Sequence, residues 1–407
     1  MDPRYRARFN AAFTDSIYGA YEVDLSETIN SGFPFRLAET PVFLPPDFRK
    51  RVERAAREVV DQLSDQQLIC EMRRAIPERW DTPGMDHLPS FAQVDFAVTR
   101  GADGTLEPKL IELQGFPSLT AFQVVQRDAW VEQLAHMGLG EDWTCWFSGL
   151  TRSTFLDLAR RTIVGDHDPA EVILLDIDPP LQKTWPDFAA TKHLFDVDPE
   201  SPTNLRKRGR SLWRPDPAQP TREIPVRRIH NRIVFDELEA KRVELPFCYQ
   251  DELDVEWAPH PNWYWVWSKY SLPFLDHPSV PKATFVSELE SIPADLGNSH
   301  VLKPLFSFAG GGVNVDPGPR DIESIPVDAR NRWCIQEKIE YAPVLQSPDG
   351  GVKVEIRMMF LRPDDEPRMI LAQNLCRLSR GKMLGVDFNK DMSWVGSSVG
   401  LFQGSEK

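Results

Sequence analysis

Between residues 47 and 74 (DFRKRVERAAREVVDQLSDQQLICEMRR) the apolar positions Val52, Ala55, Ala56, Val59, Val60, Leu63 and Leu68 recur near a helical period. The pattern predicts one amphipathic helix or a pair of helices. From 91 to 99 the chain switches to strict alternation, FAQVDFAVT, which predicts a strand. GADG marks a turn, and KLIELQG reads as the returning strand. Residues 119–137 return to a helical pattern. From about 170, AEVILLDID is a short, uninterrupted apolar run of the kind buried on both faces of a parallel sheet. The polar SPTNLRKRGR beyond it predicts a solvated loop rather than a polyanion site. A strand or strand pair around IPVRRIHNRIVF and a helix around DELEAKRVEL complete a small α/β unit.

Residues 257–275 crowd together Trp257, Trp263, Tyr264, Trp265, Trp267, Tyr270 and Phe274, which predicts a packed core edge or a domain contact. HVLKPL, at 300–305, is a strand that leads into a glycine-rich turn. CIQEKIE, KVEIRMMFL and RMILAQNLCRL then read as strands of an antiparallel sheet. No internal repeat is present, and 35 prolines limit helix length. The pattern as a whole is α+β with a small α/β insertion.

Composition narrows the classes of function. A chain of 407 residues, 41% hydrophobic and 27% charged, has the balance of a globular protein of two or three domains. A net charge of −14 argues against nucleic acid as a partner, because phosphate backbones select basic surfaces. Five cysteines, Cys70, Cys145, Cys248, Cys334 and Cys376, contain no CxxC spacing, which argues against a disulfide framework or a structural zinc site. MDPRYRARFNAAF lacks the apolar centre of a signal peptide. No apolar stretch approaches the roughly 20 residues that span a bilayer. The expectation is a cytoplasmic protein with no membrane partner.

Two stretches carry candidate chemistry. On a strand, residues i and i+2 share a face, so Glu112 and Gln114 point together and Asp95 can join them across the hairpin. Two carboxylates and an amide oxygen are hard donors suited to Mg²⁺, although spacing alone favours an acidic surface hairpin. In HVLKPLFSFAGGGVNV, a strand ends at Lys303-Pro304 and reaches Gly310, Gly311 and Gly312. Consecutive glycines let backbone N–H groups approach a polyphosphate, and a lysine adds a point charge. The loop is neither a Walker sequence nor GxGxxG, so a dinucleotide fold is not supported.

Taken together, these runs resemble the ATP-grasp family. IELQGFPSLT is similar to the E-x-N-x-x-P-G-hydrophobic run that closes the family's metal site, and QVDFAVTRGADG to the strand that supplies its first carboxylate. Gln114 stands where Asn is usual, and Ser118 where Gly is usual. The resemblance implies Asp95, Glu112 and Gln114 as ligands of one or two Mg²⁺ ions. It implies Lys269 (in VWSKYSLPFL), Lys303 and the loop Ala309, Gly310, Gly311 and Gly312 as holders of the ATP phosphates. Gln336, Glu337 and Ile339 fall at the hinge that faces the adenine and ribose. KVEIRMMFL places Glu355 and Arg357 on one strand face, and NLCRLSRGKMLGVDFNKD brings Arg377, Arg380, Lys382, Asp387 and Asn389. The resemblance assigns Arg357 and Arg377 to the reacting centre.

The order of these motifs is permuted: the metal hairpin precedes the lysines and glycines. That order resembles the circularly permuted branch with glutathionylspermidine synthetase-like amide ligases, over roughly 85–125 and 225–402. The expected fold is therefore an α+β ATP-grasp fold, two lobes enclosing ATP, circularly permuted, with a small α/β pre-ATP-grasp subdomain. The expected divisions are 1–150, with the metal hairpin at 91–123; 151–256, the small subdomain; and 257–407, the nucleotide lobes. No Cys/His arrangement in the first 90 residues suggests an attached amidase. The implied activity is a carboxylate–amine ligase acting on small-molecule acid and amine substrates through an acyl phosphate. A phosphotransferase on the same scaffold and a non-catalytic nucleotide-binding protein are the alternatives.

Overall fold

The computed structural model describes residues 1–307, 311–381 and 392–404. The longer α-helices are α1 (Pro3–Ala12), α2 (Asp15–Ile29), α3 (Pro46–Leu63), α4 (Gln66–Met72), α5 (Phe122–His136), α6 (Arg152–Ile163), α7 (Trp185–Phe195) and α8 (Phe235–Lys241). The strands that position the site are β1 (Phe91–Arg100), β2 (Leu106–Gln114), β3 (Val172–Leu175), β4 (Asp198–Glu200), β5 (Arg228–Asn231), β6 (Glu256–Trp257), β7 (Ala283–Phe285), β8 (His300–Pro304), β9 (Trp333–Glu337), β10 (Leu345–Ser347), β11 (Gly350–Leu361), β12 (Ile370–Ser379) and β13 (Gly396–Ser398).

The amphipathic stretch at 47–74 is a helix pair. Pro45 and Pro46 open α3, where a missing N–H costs nothing, and α3 buries Val52, Ala55, Ala56, Val59, Val60 and Leu63 on one face. Asp65 then breaks the chain and caps α4, accepting from Gln67 and Leu68 N–H at 2.9 Å each.

A six-stranded antiparallel sheet is the largest element, ordered β13-β12-β11-β1-β2 with β10 paired to β11. Strands distant in sequence meet here: β1 of the early hairpin sits between β2 and β11. A second antiparallel sheet has the order β7-β9-β8. The third, β6-β5-β3-β4, is wholly parallel, and its central strand β3 is buried along its length, as its unbroken apolar run requires.

One stretch departs from expectation. SPTNLRKRGR, expected as a loop, contributes the strand Arg206–Arg208, which pairs with the following Ser211–Pro215 in a small antiparallel sheet. Gly209, at φ +61°, makes the tight turn; Leu212 is buried on one side, and Arg206 and Arg208 both pair with Glu223 of the third strand, Glu223–Val226. IPVRRIHNRIVF divides between two sheets, Glu223–Val226 closing the small one and β5 entering the parallel one.

The aromatic stretch lies on the seam between two cores. Trp263, Val266 and Trp267 pack into the main core, while Tyr264 and Trp265 pack with Phe116 and the apolar side of the parallel sheet. Gly115 completes this seam. A side chain there would press to within 2.9 Å of the Trp263 carbonyl, and Gly115 N–H donates to the Trp267 carbonyl at 2.7 Å. The fold thereby fixes the end of β2 against the segment that carries Lys269.

Candidate functional site

The hairpin register puts Asp95 opposite Glu112 and Gln93 opposite Gln114, with a bulge between Asp95 and Phe96. Because Phe96 pairs with Leu110, Ile111 is the extra residue of β2. Its carbonyl is freed from the ladder and accepts from Lys303 Nζ at 2.8 Å. Lys303 also donates to Gln336 Oε1 at 2.6 Å and is only 5% exposed. Lys269, equally buried, donates to the Ser307 carbonyl and lies 3.4 Å from Glu112. The early hairpin and the late lysine segment thus share one cluster.

The other side of the cluster comes from β11 and β12. Arg357 stands opposite Asp95 in register and grips it bidentately, Nε to Oδ1 at 2.6 Å and Nη2 to Oδ2 at 2.7 Å. Its remaining nitrogen, Nη1, donates to Gln93 Oε1 at 2.7 Å. Arg377 donates to Asp95 Oδ2 and to Glu355 Oε1, the latter at 2.5 Å. Tyr341 donates to the other Glu355 oxygen at 3.0 Å. Arg357 is 6% exposed, whereas the Arg377 side chain is 31% exposed, so Arg377 is the guanidinium that reaches the open side.

Burial and charge push the acids apart. Burial alone would raise the Glu112 carboxyl, but Lys269, Arg377, Lys303 and Arg357 outweigh it and hold Glu112 down at about 2. Burial, with the Asp95 and Glu112 charges nearby, lifts Glu355 to about 7 despite Arg377 and Arg357. Burial also lowers Lys303, and the surrounding carboxylates raise Arg377. Four cations, Lys269, Lys303, Arg357 and Arg377, face three carboxylates, of which Glu355 is part protonated at neutral pH. The cluster carries excess positive charge inside a chain of net charge −14.

A narrow cleft lies beside these groups, lined by Glu112, Gln114, Tyr264, Lys269, Phe306 and Ser307 among others. Gln114 donates its side-chain N–H groups to Gln93 Oε1 at 3.0 Å and to the Phe116 carbonyl at 3.2 Å. Its oxygen accepts no hydrogen bond among the described residues.

The remaining predicted residues lie at varied distance from this chemistry. Gln336 is buried, and its side chain serves Lys303 and the Leu110 carbonyl at 3.4 Å. Glu337 is exposed and accepts from Lys282 N–H at 3.1 Å, and Ile339 is half-buried. Gly311 and Gly312 are exposed; Ser307 Oγ donates to the Gly311 carbonyl at 2.7 Å, and Gly312 takes φ +72° against the Pro304 ring. Arg380 donates to the Asp349 carbonyl. Ala309, Gly310, Lys382, Asp387 and Asn389 lie outside the described residues. Sequence reading missed Gln93 and Tyr341. The one available signal for Gln93 was its spacing, two residues before Asp95 on the same strand face.

Among the described residues no group of three or more His, Cys, Asp or Glu side chains is arranged to hold a metal ion. No described helix is long and apolar enough to cross a membrane.

This architecture, a mixed α+β fold of several sheets, is compatible with the glutathione synthetase-like ATP-grasp fold. Among solved structures, 22 chains match. One is a glutathione synthetase-like effector from Globodera pallida in its apo form, with TM-score 0.59 and 11% sequence identity over 96% of each chain. No protein-family model matches, and no curated protein sequence matches.

Proposed function

We propose that the protein is an ATP- and Mg²⁺-dependent carboxylate–amine ligase of the ATP-grasp kind, with the metal hairpin permuted to the front of the chain. The observation that carries this reading is the meeting of Lys303 and Lys269 with β2, through Ile111 and Glu112, in a cluster of excess positive charge. A polyphosphate is the kind of anion that two clustered buried lysines suit, and Lys269 of the two lines the cleft.

The residues fit a Mg²⁺ ion that is completed by phosphates. Glu112, held ionised, and the Gln114 oxygen, which accepts no hydrogen bond among the described residues, are hard donors on the cleft wall. Mg²⁺ is commonly held by one or two carboxylates plus substrate phosphates rather than by a full protein cage. Asp95 has both oxygens committed to Arg357 and Arg377, so it acts on the ion only if Arg377 moves. ATP would supply the phosphoryl group that converts a substrate carboxylate to an acyl phosphate, from which an amine displaces phosphate to give an amide.

The chain's own residues then have separable tasks. Lys269 and Lys303 neutralise and orient phosphate oxygens. Glu112 and Gln114 hold the cation. Arg377, the more exposed guanidinium, stabilises the oxyanion at the acyl carbon, a contact worth on the order of 3 kcal/mol in other enzymes. Arg357, whose nitrogens are occupied by Asp95 and Gln93, positions Asp95 rather than touching substrate.

The test is a screen of acid and amine pairs with ATP and Mg²⁺, following phosphate release and condensed product, with Glu112→Ala and Lys303→Ala beside the wild type. Full activity in both variants on a productive pair would sink the site assignment. The commitment of Asp95 to two arginines favours one other reading, a nucleotide-binding protein without turnover. ATP-induced thermal stabilisation without phosphate release across the screen is the result that selects it.

A further inference from the structure

Gln93 is buried in β1 and makes three hydrogen bonds. Its Oε1 accepts from Arg357 Nη1 at 2.7 Å and from Gln114 Nε2 at 3.0 Å, and its Nε2 donates to the Ser118 carbonyl at 2.9 Å. The two ends of a glutamine amide are ordinarily interchangeable in shape, and only the partners decide which is which. Here the partners allow one answer. A guanidinium can only donate and a backbone carbonyl can only accept, so the Gln93 oxygen must face Arg357 and its nitrogen must face Ser118.

That choice propagates. With the Gln93 oxygen fixed, the atom of Gln114 that meets it must be the nitrogen, whose second hydrogen goes to the Phe116 carbonyl at 3.2 Å. The Gln114 oxygen is the remaining end of the amide, on a residue that lines the cleft with Glu112. We propose that Gln93 is a positioning residue that transmits the donor polarity of Arg357 to Gln114, so that Gln114 turns its oxygen, not its N–H₂, to the cleft. The inference rests on the reading of Glu112 and Gln114 as cation donors. An N–H₂ in that place would repel a cation, so the same side chain would oppose the chemistry it now serves.

Two substitutions separate polarity from mere support. Gln93→Glu keeps an acceptor for Arg357 and Gln114 but loses the donor to Ser118. Gln93→Met loses both. The readout is Mn²⁺ binding in the presence of ATP, followed by the electron paramagnetic resonance of free Mn²⁺. Gln93→Met should weaken binding by about tenfold, the lower end for loss of a residue that orients a metal ligand. Gln93→Glu should bind at least as tightly as the wild type. Equal weakening in the two variants, or none in Gln93→Met while Gln114→Ala binds weakly, overturns the inference and leaves the site reading standing. Wild-type protein that binds no Mn²⁺ with ATP overturns both. If Gln93→Met does not fold, the wild type still decides: Gln114 side-chain amide protons, resolved by selective ¹⁵N-glutamine labelling, should exchange slowly with solvent, and rapid exchange rejects the proposal.

Discussion

Lys303 Nζ donates to the Ile111 carbonyl at 2.8 Å across 192 positions of chain. The contact exists because the bulge in β2 turns one carbonyl out of the ladder, toward the sheet that carries Lys303. One ammonium therefore joins the six-stranded sheet to the three-stranded sheet beside the cleft. The same group is the point charge proposed to meet the phosphates of ATP.

Lys303→Met tests both roles. It leaves the Ile111 carbonyl and Gln336 Oε1 without their donor, and a buried acceptor left unsatisfied costs about 1–3 kcal/mol. Relief of the ammonium's own burial offsets part of this, so a net loss of about 1–2 kcal/mol is expected in urea unfolding. MgATP should raise the melting temperature of the wild type, since a ligand of the native state stabilises it, and should leave that of Lys303→Met unchanged. A variant that still responds to MgATP like the wild type would remove Lys303 from the nucleotide site.

Asp95→Asn should be far more damaging to folding than Glu112→Gln. Asp95 is the shared partner of Arg357 and Arg377, and removing one member of a buried ion pair costs about 3–5 kcal/mol because the other charge stays behind. Glu112 is half-buried and meets Lys269 at 3.4 Å, so its loss costs less in stability while removing a proposed cation ligand. Urea midpoints, with the slope of the transition unchanged, measure the first effect, and Mn²⁺ binding with ATP measures the second. Equal urea midpoints for the two variants would show that Asp95 is not the structural centre of the cluster.

The alternation in FAQVDFAVT and KLIELQG, with the GADG turn, was enough to place Glu112 and Gln114 on one face and Asp95 across from them. Period two carries that information by itself. The bulge at Ile111 was not legible, because nothing in its residue type marks an extra position. Nor was the pairing of β11 with β1, since strand order depends on contacts between segments far apart in sequence. Gln93 looked like an ordinary polar residue until Arg357 stood opposite its neighbour. Helix α2 could have been found: Tyr21, Leu25 and Ile29 are buried at a spacing of four, and Thr14 caps its start.

The two shifted glutamates give opposite pH dependences. Glu355, raised from 4.5 to about 7, holds its proton more tightly in the folded chain. Its contribution to stability is full below pH 4.5 and disappears as pH rises through 7. Glu112, lowered to about 2, contributes above pH 4.5 and loses that contribution as pH falls toward 2. Between pH 4.5 and 7, Glu355→Gln should therefore gain stability relative to the wild type as pH rises, with a constant difference above that window. Thermal unfolding of both proteins at half-unit steps reads this directly, and a difference that stays flat through the window contradicts the assignment.

Asp187 supplies a cap that α5 lacks in its own sequence. The residue before α5 is Ala121, which has no side chain to accept the free N–H groups of the first turn. Asp187, projecting from α7, accepts from Ala121 N–H at 2.9 Å and Phe122 N–H at 3.0 Å through Oδ1, and from Leu119 N–H at 2.9 Å through Oδ2. Arg232 pairs with the same carboxylate at 2.6 Å. Leu119 holds φ +60°, a left-handed conformation unfavourable for a side chain of its kind, so the turn needs these bonds to stay in place. The turn begins at Phe116, whose carbonyl holds Gln114, and includes Ser118, whose carbonyl holds Gln93. Asp187→Ala should cost about 3–5 kcal/mol, since it strands a buried guanidinium as well as the N–H groups. Asp187→Asn, which keeps one oxygen for Ala121 and Phe122, should lose less. In hydrogen exchange the variants should deprotect 119–123 before β3 or β11, because the cap fails locally while the sheets persist. If 119–123 exchange at wild-type rates in Asp187→Ala, the turn is held by packing alone and Asp187 is not what ties the small parallel-sheet unit to the site.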